Sequence, residues 1–370
     1  MNISLRFFLP SLAFLPFLWD FYIFGLKIFD VVAFLLALFT LIFISKLDLK
    51  DANKPNIIFF LCFFLFFNFV GLIINNDIKG FIGLTMGLLY FYFICLYFNK
   101  HDVEKYSFYI LIFLLGTWLL QFSTIIIFDN PINYHSFTGD APRIQNAMGY
   151  RTSGLFLEPT SYCAMMFMVI STRFIFQSFT KYEFIGILSM LMSFSLYGVF
   201  ISIILLVFWS FYKLRSALII YLVCIIFAIS SAFFFQDLNY ITGELQISNL
   251  QKRISSLSSD ASVLARYSPQ NISNRNLLEI LFGSGLTSIG KNNLYGTSGL
   301  GVLISGVGII GFFSFLLLAI NLYKKNIFLI VSSILVILMS SSYLTYLVFW
   351  TWLAWMHIAV KPVNIDEAES

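Results

Sequence analysis

An all-α polytopic membrane protein is the fold class this sequence predicts, on three observations. Hydrophobic residues make up 59% of the chain and charged residues only 11%, with a mean hydropathy of +0.89. A soluble domain of this size needs more charge than that to cover its surface. Apolar runs of roughly 18 residues or more recur along the whole chain, each long enough to cross ~30 Å of hydrocarbon. Basic residues gather in short connections between alternate pairs of runs, the pattern that orients membrane helices.

About twelve spans are expected by length and apolarity. Their cores are 7–24, 28–45, 56–75, 80–98, 106–128, 160–178, 184–197, 198–212, 216–234, 298–322, 326–342 and 343–359. The whole chain, 1–370, reads as a single transmembrane domain. The first run is expected to be retained, because no small-residue cleavage site ends it. The seventh and eighth are short, with a tight break expected at Ser195-Leu196-Tyr197-Gly198. The 46 phenylalanines suit lipid-facing and interhelical positions. Cys62, Cys95, Cys163 and Cys224 all lie in apolar runs without CxxC spacing, so neither a disulfide framework nor a thiolate metal site is indicated.

Charge gives the orientation. With both termini cytoplasmic, the inside set holds 13 of the 22 basic residues: Arg6, Lys46, Lys50, Lys54, Lys100, Lys105, Arg173, Lys181, Lys213, Arg215, Lys324, Lys325 and Lys361. The short inside loops carry most of them. Arginine behaves differently from lysine. Five of the eight arginines lie in only two external loops, roughly 129–157 and 235–297. The planar guanidinium matches phosphate and carboxylate bidentately and keeps its charge near lipid. Two readings follow: arginines that solvate two loops, or an anion site assembled from both.

The first loop runs DNPINYHSFTGDAPRIQNAMGYRTSGLFLEPT, irregular by its Asn, Asp, Gly and Pro content. Pro159 suits the first turn of the sixth span, where a missing N–H costs nothing. Glu158 precedes it at a cap-like position, where the helix dipole favours a carboxylate. The other reading of Glu158 is an acid, a base or a partner that orients Arg151 at the membrane surface. A helix N-terminus beside arginines is also an anion site in waiting. His135 reads as a polar loop residue rather than a catalyst.

The segment Arg151-Thr-Ser-Gly-Leu-Phe-Leu-Glu-Pro-Thr160 resembles the characteristic segment of the O-antigen polymerase (Wzy) family, relatives of the O-antigen ligases. Arg143 and Gly154 also fit an Arg-x10-Gly spacing described in some polymerases. The stronger match is the combination: an external loop, Arg-x-x-Gly-x-Phe-x-Glu-Pro, and a span that starts at once. The likeness extends over about 110–325 in layout and short motifs.

In the second loop, Ile247, Leu250, Ile254, Leu257, Ala261 and Leu264 repeat at helical spacing, which predicts an amphipathic helix on the membrane surface. A short apolar helix over 276–282 is expected next, ending at Gly283-Ser-Gly285. An arginine followed by an apolar segment and Gly-x-Gly is again similar to the polymerase and ligase pattern. Arg266 is the better match to that arginine and Arg253 the second. The ligases look to a histidine in this loop. Here it has none, because the histidines are His101, His135 and His357. That favours a polymerase.

Two formal motifs are set aside. Gly285-x4-Gly290-Lys291 is one residue short of a P-loop and has Asn292 where Ser or Thr would bind magnesium. Gly306-x-Gly308-x-x-Gly311 has dinucleotide-fingerprint spacing but lies inside an apolar span, where glycines let helices approach closely. The external carboxylates are scattered, so no metal and no cofactor is expected.

The resemblance implies a glycosyltransferase of GT-C-like architecture. Its substrates would be undecaprenyl-pyrophosphate-linked oligosaccharides at the periplasmic face of a bacterial inner membrane. Energy would come from the glycosyl-pyrophosphate bond. Arg151 and Arg266 are assigned to the departing pyrophosphate, and Arg143, Arg253 and Arg275 to phosphate or sugar contacts. Glu158 is the candidate base, and Tyr150, Tyr267 and Tyr295 are candidates for stacking on sugars. Expected partners are the lipid-linked glycans, membrane lipid and a regulator of chain length, with no nucleic acid. The alternatives are a lipid-oligosaccharide flippase, or a ligase or capsule polymerase of the same superfamily. A flippase is expected to carry internal repeats and mid-membrane charges. The sequence shows no repeat and few deep charges.

Overall fold

The computed structural model describes residues 3–18, 20–23, 26–43, 66, 69–70, 77–128, 131–135, 145–146, 149–150, 152–176, 180–193, 195–212, 276–283, 285, 300–323, 326–339 and 341–360. Helices dominate: α1 (Ile3–Phe14), α2 (Ile28–Phe43), α3 (Ile78–Tyr97), α4 (Lys100–Phe128), α5 (Pro159–Ile175), α6 (Lys181–Leu191), α7 (Leu196–Tyr212), α8 (Leu277–Phe282), α9 (Leu300–Tyr323), α10 (Ile327–Met339) and α11 (Leu347–Val360). The strands among the described residues are two-residue ribbons, β1 (Tyr22–Ile23) with β2 (Leu26–Lys27) and β3 (Gln145–Asn146) with β4 (Gly149–Tyr150). The β3–β4 pair is antiparallel, with Gln145 opposite Tyr150.

The fold is all-α, and three helical stretches among the described residues are long and apolar enough to cross a membrane: Ile78–Tyr97, Lys100–Phe128 and Gly306–Tyr323. α4 presents Phe113, Leu119, Leu120, Ile126, Ile127 and Phe128 as exposed apolar side chains. A water-facing helix would carry polar residues there. The expected spans over 56–75, apart from three residues, and over 216–234 lie outside the described residues, as does the predicted amphipathic helix.

Several expected boundaries move, each for a local reason. The run expected to be one span over 7–24 breaks early: α1 stops at Phe14 and a 3₁₀ turn follows over Leu15–Leu18. Pro10 and Pro16 each remove a backbone donor from this stretch. α4 begins at Lys100 rather than near 106, because Asn99 and Asp102 cap it reciprocally: Asp102 N–H donates to Asn99 Oδ1 at 2.8 Å and Asn99 N–H to Asp102 Oδ2 at 3.3 Å. α6 starts on a capping box of Thr180 and Glu183. The α6–α7 break falls at 192–195, slightly ahead of the expected tetrapeptide. A 3₁₀ turn over Ser341–Thr345 separates α10 from α11.

The chain forms two compact units. The first comprises Met1–Trp19, Lys27–Tyr106 and Ala261–Ser370. Its core holds α11, buried from Leu347 to Ala359, with Trp350, Trp352 and Trp355 fully enclosed. α3 and α11 pack together, Phe91 meeting Trp350 edge-on. Tyr323 Oη donates to Leu353 O at 3.3 Å. The predicted short helix is α8, closed by Gly283 at φ +80°. Its end lies backbone to backbone against α9, and Gly285 N–H donates to Gly306 O at 3.1 Å. Gly308 breaks α9 with φ +73° and ψ 171°. The Gly306-x-Gly308 pattern thus serves close approach, and a Cβ on Gly308 would run into the Leu281 carbonyl.

The second unit comprises Asp20–Leu26 and Ser107–Asp260. Its core is α5, buried continuously from Tyr162 to Arg173 and packed on α6 and α7. A polar seam joins these helices. Tyr162 Oη meets Ser189 Oγ at 2.6 Å, and Cys163 Sγ meets Ser193 Oγ at 3.0 Å. At the far end of α5, Arg173 and Glu183 form a buried ion pair, and Phe108 lies under the guanidinium at 4.9 Å.

Candidate functional site

The segment that leads into α5 is the most elaborately held loop among the described residues of this unit. Gly154 adopts φ +57°, a left-handed conformation that turns the chain. Around it, one side chain after another takes up the groups of 152–157. Gln121, fully buried on α4, accepts from both Ser153 N–H at 2.7 Å and Gly154 N–H at 2.9 Å. Its amide nitrogen donates to Ile132 O at 3.2 Å. Trp118, one turn earlier on α4, donates its indole N–H to Thr152 Oγ1 at 2.9 Å. Asp20 Oδ2 accepts from Leu157 N–H at 2.6 Å.

His135 completes the set. It is buried and stacks on Phe21, with ring centroids 4.5 Å apart. Its Nε2 lies 2.7 Å from Leu155 O. A carbonyl oxygen only accepts, so Nε2 carries the proton in this contact. Asn133 Oδ1 accepts from the backbone N–H of His135 at 2.8 Å, shaping the turn that delivers the ring. Tyr134 beside it donates to Thr117 O at 3.0 Å, and burial raises its phenol above the usual 10.0. The burial of His135 and its specific carbonyl partner were not legible from sequence.

Glu158 occupies the N-cap position of α5 and Pro159 the first helical position, as the sequence suggested. The Glu158 backbone caps the helix: its carbonyl accepts from Ser161 N–H at 3.1 Å and Tyr162 N–H at 3.2 Å. Its carboxylate does not take the capping bond. Side chains that cap are the shorter Asp, Asn, Ser and Thr. Glu158 is half-buried at the start of the helix.

Of the residues assigned to the site from sequence, the structure therefore describes Glu158 in full and the backbone of Tyr150, in β4. Arg143, Arg151, Arg253, Arg266, Arg275, Tyr267 and Tyr295 lie outside the described residues. Sequence reasoning missed Gln121 and Trp118 and gave Asp20 no part in the site. The available signal was a polar residue within an apolar run, which in a membrane helix needs an internal partner. No protein-family model, curated protein or solved structure matches the chain.

Proposed function

We propose that this protein polymerises undecaprenyl-pyrophosphate-linked oligosaccharide repeat units into O-antigen polysaccharide at the periplasmic face of a bacterial inner membrane. The observation that carries the reading is the held segment between Arg151 and Glu158. It has the polymerase-like Arg-x-x-Gly-x-Phe-x-Glu-Pro order, and its interior is anchored at the head of a buried helix by Gln121, Asp20 and His135. A loop that only joined two spans would have its polar backbone solvated by water. About twelve spans in a GT-C-like arrangement, with both termini cytoplasmic, belong to the same proposal.

In the proposed reaction the acceptor sugar hydroxyl attacks the anomeric carbon of the growing glycan. The new C–O glycosidic bond forms as the anomeric C–O bond to lipid pyrophosphate breaks. The hydroxyl proton passes to Glu158, and the lipid pyrophosphate departs carrying the extra negative charge. Arg151 and Arg266 oppose that charge, with most effect in the transition state. Arg143, Arg253 and Arg275 hold phosphate or sugar, and Tyr150, Tyr267 and Tyr295 stack on sugar rings. A chain-length regulator is the proposed protein partner.

The test is polymer length in a strain deleted for the gene, complemented with wild type, Arg151→Ala, Arg266→Ala or Glu158→Ala at matched membrane abundance. The expected outcome is collapse of the lipopolysaccharide ladder to a single repeat unit in each variant. Loss of even the single unit in the deletion strain would point to a flippase or ligase. A full ladder in all three variants would remove these residues from the chemistry.

A further inference from the structure

We infer that Gln121, Asp20 and His135 are positioning residues, acting through the loop 152–157 to hold Glu158 in place at the head of α5. The inference rests on the polymerase reading above and extends it to residues that touch neither substrate nor reacting atoms.

Three stretches of chain distant in sequence converge on one short segment. Gln121 reaches it across 32 and 33 residues, His135 across 20 and Asp20 across 137. Each uses a different group of the segment: two consecutive N–H groups, the Leu155 carbonyl and the Leu157 N–H. Gln121, Asp20 and His135 are at most 5% exposed, so water competes little for these bonds. The anchors begin one residue after Trp118's partner Thr152 and end one residue before Glu158. The stretch between the proposed pyrophosphate arginine and the proposed base is thus tied at nearly every residue. Catalytic groups need placement to within about 0.5 Å, and a displacement of about 1 Å costs up to a hundredfold in rate.

The discriminating variants are conservative pairs. Gln121→Glu keeps an acceptor for both N–H groups, and its protonated form can still donate to Ile132 O. Gln121→Leu fills the space and accepts nothing. Asp20→Asn and Asp20→Leu repeat the comparison from a separate stretch of chain, in case either leucine variant fails to accumulate. Full-length protein in detergent is assayed for kcat and KM with lipid-pyrophosphate-linked repeat units, and hydrogen exchange is followed at the Ser153, Gly154 and Leu157 amides. In wild type these three amides are expected to be protected. Gln121→Leu is expected to free Ser153 and Gly154 and lower kcat about tenfold to a hundredfold, with KM within about twofold. Gln121→Glu is expected to restore both. Unprotected amides in wild type would overturn the anchoring itself. Polymerising wild type with kcat unchanged in Gln121→Leu, or with Gln121→Glu as impaired as Gln121→Leu, would overturn the positioning role alone. Wild type with protected amides but no polymer would overturn the polymerase reading, and the positioning role with it.

Discussion

Two glycines show how much a single position can carry. Gly154 and Gly308 both have positive φ, but their surroundings differ. A Cβ on Gly154 would meet Tyr162 Cδ2 at 3.3 Å and Thr117 Oγ1 at 3.5 Å, close but not a collision with backbone. Gly154→Ala should therefore cost mainly the left-handed conformation, about 1–2 kcal/mol. A Cβ on Gly308 would strike backbone atoms of Leu281 and Gly283, which have no rotamer to escape into. Gly308→Ala should destabilise more than Gly154→Ala, since α8 and α9 must separate as well. Thermal melting of the two purified variants checks the order. Gly154→Ala melting lower would mean that the α8–α9 contact contributes less than the turn. The sequence pointed to close helix approach at Gly308 and placed Gly154 in the polymerase-like segment; the positive φ at each was not legible there.

Among the elements, α5 is the one whose burial has the clearest energetic consequence. Its last turn carries Arg173, which is 4% exposed and paired with the fully buried Glu183 of α6. Glu183 also accepts from the Thr180 backbone N–H at 2.6 Å, so one carboxylate serves both the α6 cap and the ion pair. Removing one member of a buried pair leaves an uncompensated charge and costs about 3–5 kcal/mol, whereas replacing both with apolar residues is often close to neutral. Arg173→Met alone should lower the melting temperature sharply. Arg173→Met with Glu183→Leu should recover part of the loss and forfeit the Glu183 half of the capping box. Equal melting of single and double variants would show that the pair is uncoupled. The sequence placed Arg173 in the inside set of a positive-inside count, which says nothing of its partner.

For the whole molecule, the prediction concerns orientation. The basic connections at 46–54 and 213–215 are expected inside, and the two external loops that gather five arginines, 129–157 and 235–297, outside. Alkaline phosphatase fused within either of those two loops should be active, and fused at either basic connection inactive. The reverse pattern would place the proposed site on the wrong side of the membrane for periplasmic polymerisation.

Element identity was largely legible because it is local. Apolar run length, Pro159 at a helix start and Gly283 at a helix end each act over a few residues. The all-α class, the transmembrane character, the helix at 159–175 and the short helix before Gly283 follow from such signals. Break points were less legible, because reciprocal caps such as Asn99 with Asp102 compete with hydropathy for the boundary. The anchoring of the loop before α5 was decided only by tertiary structure. Gln121 on its own is one polar residue in an apolar helix, and Asp20 one acid near a turn. Their partners lie 32 and 137 residues away, and no local propensity specifies which distant N–H a buried acceptor will meet. Packing settles that choice, because a polar group enclosed away from water must find its partner among whatever groups the helices bring within reach.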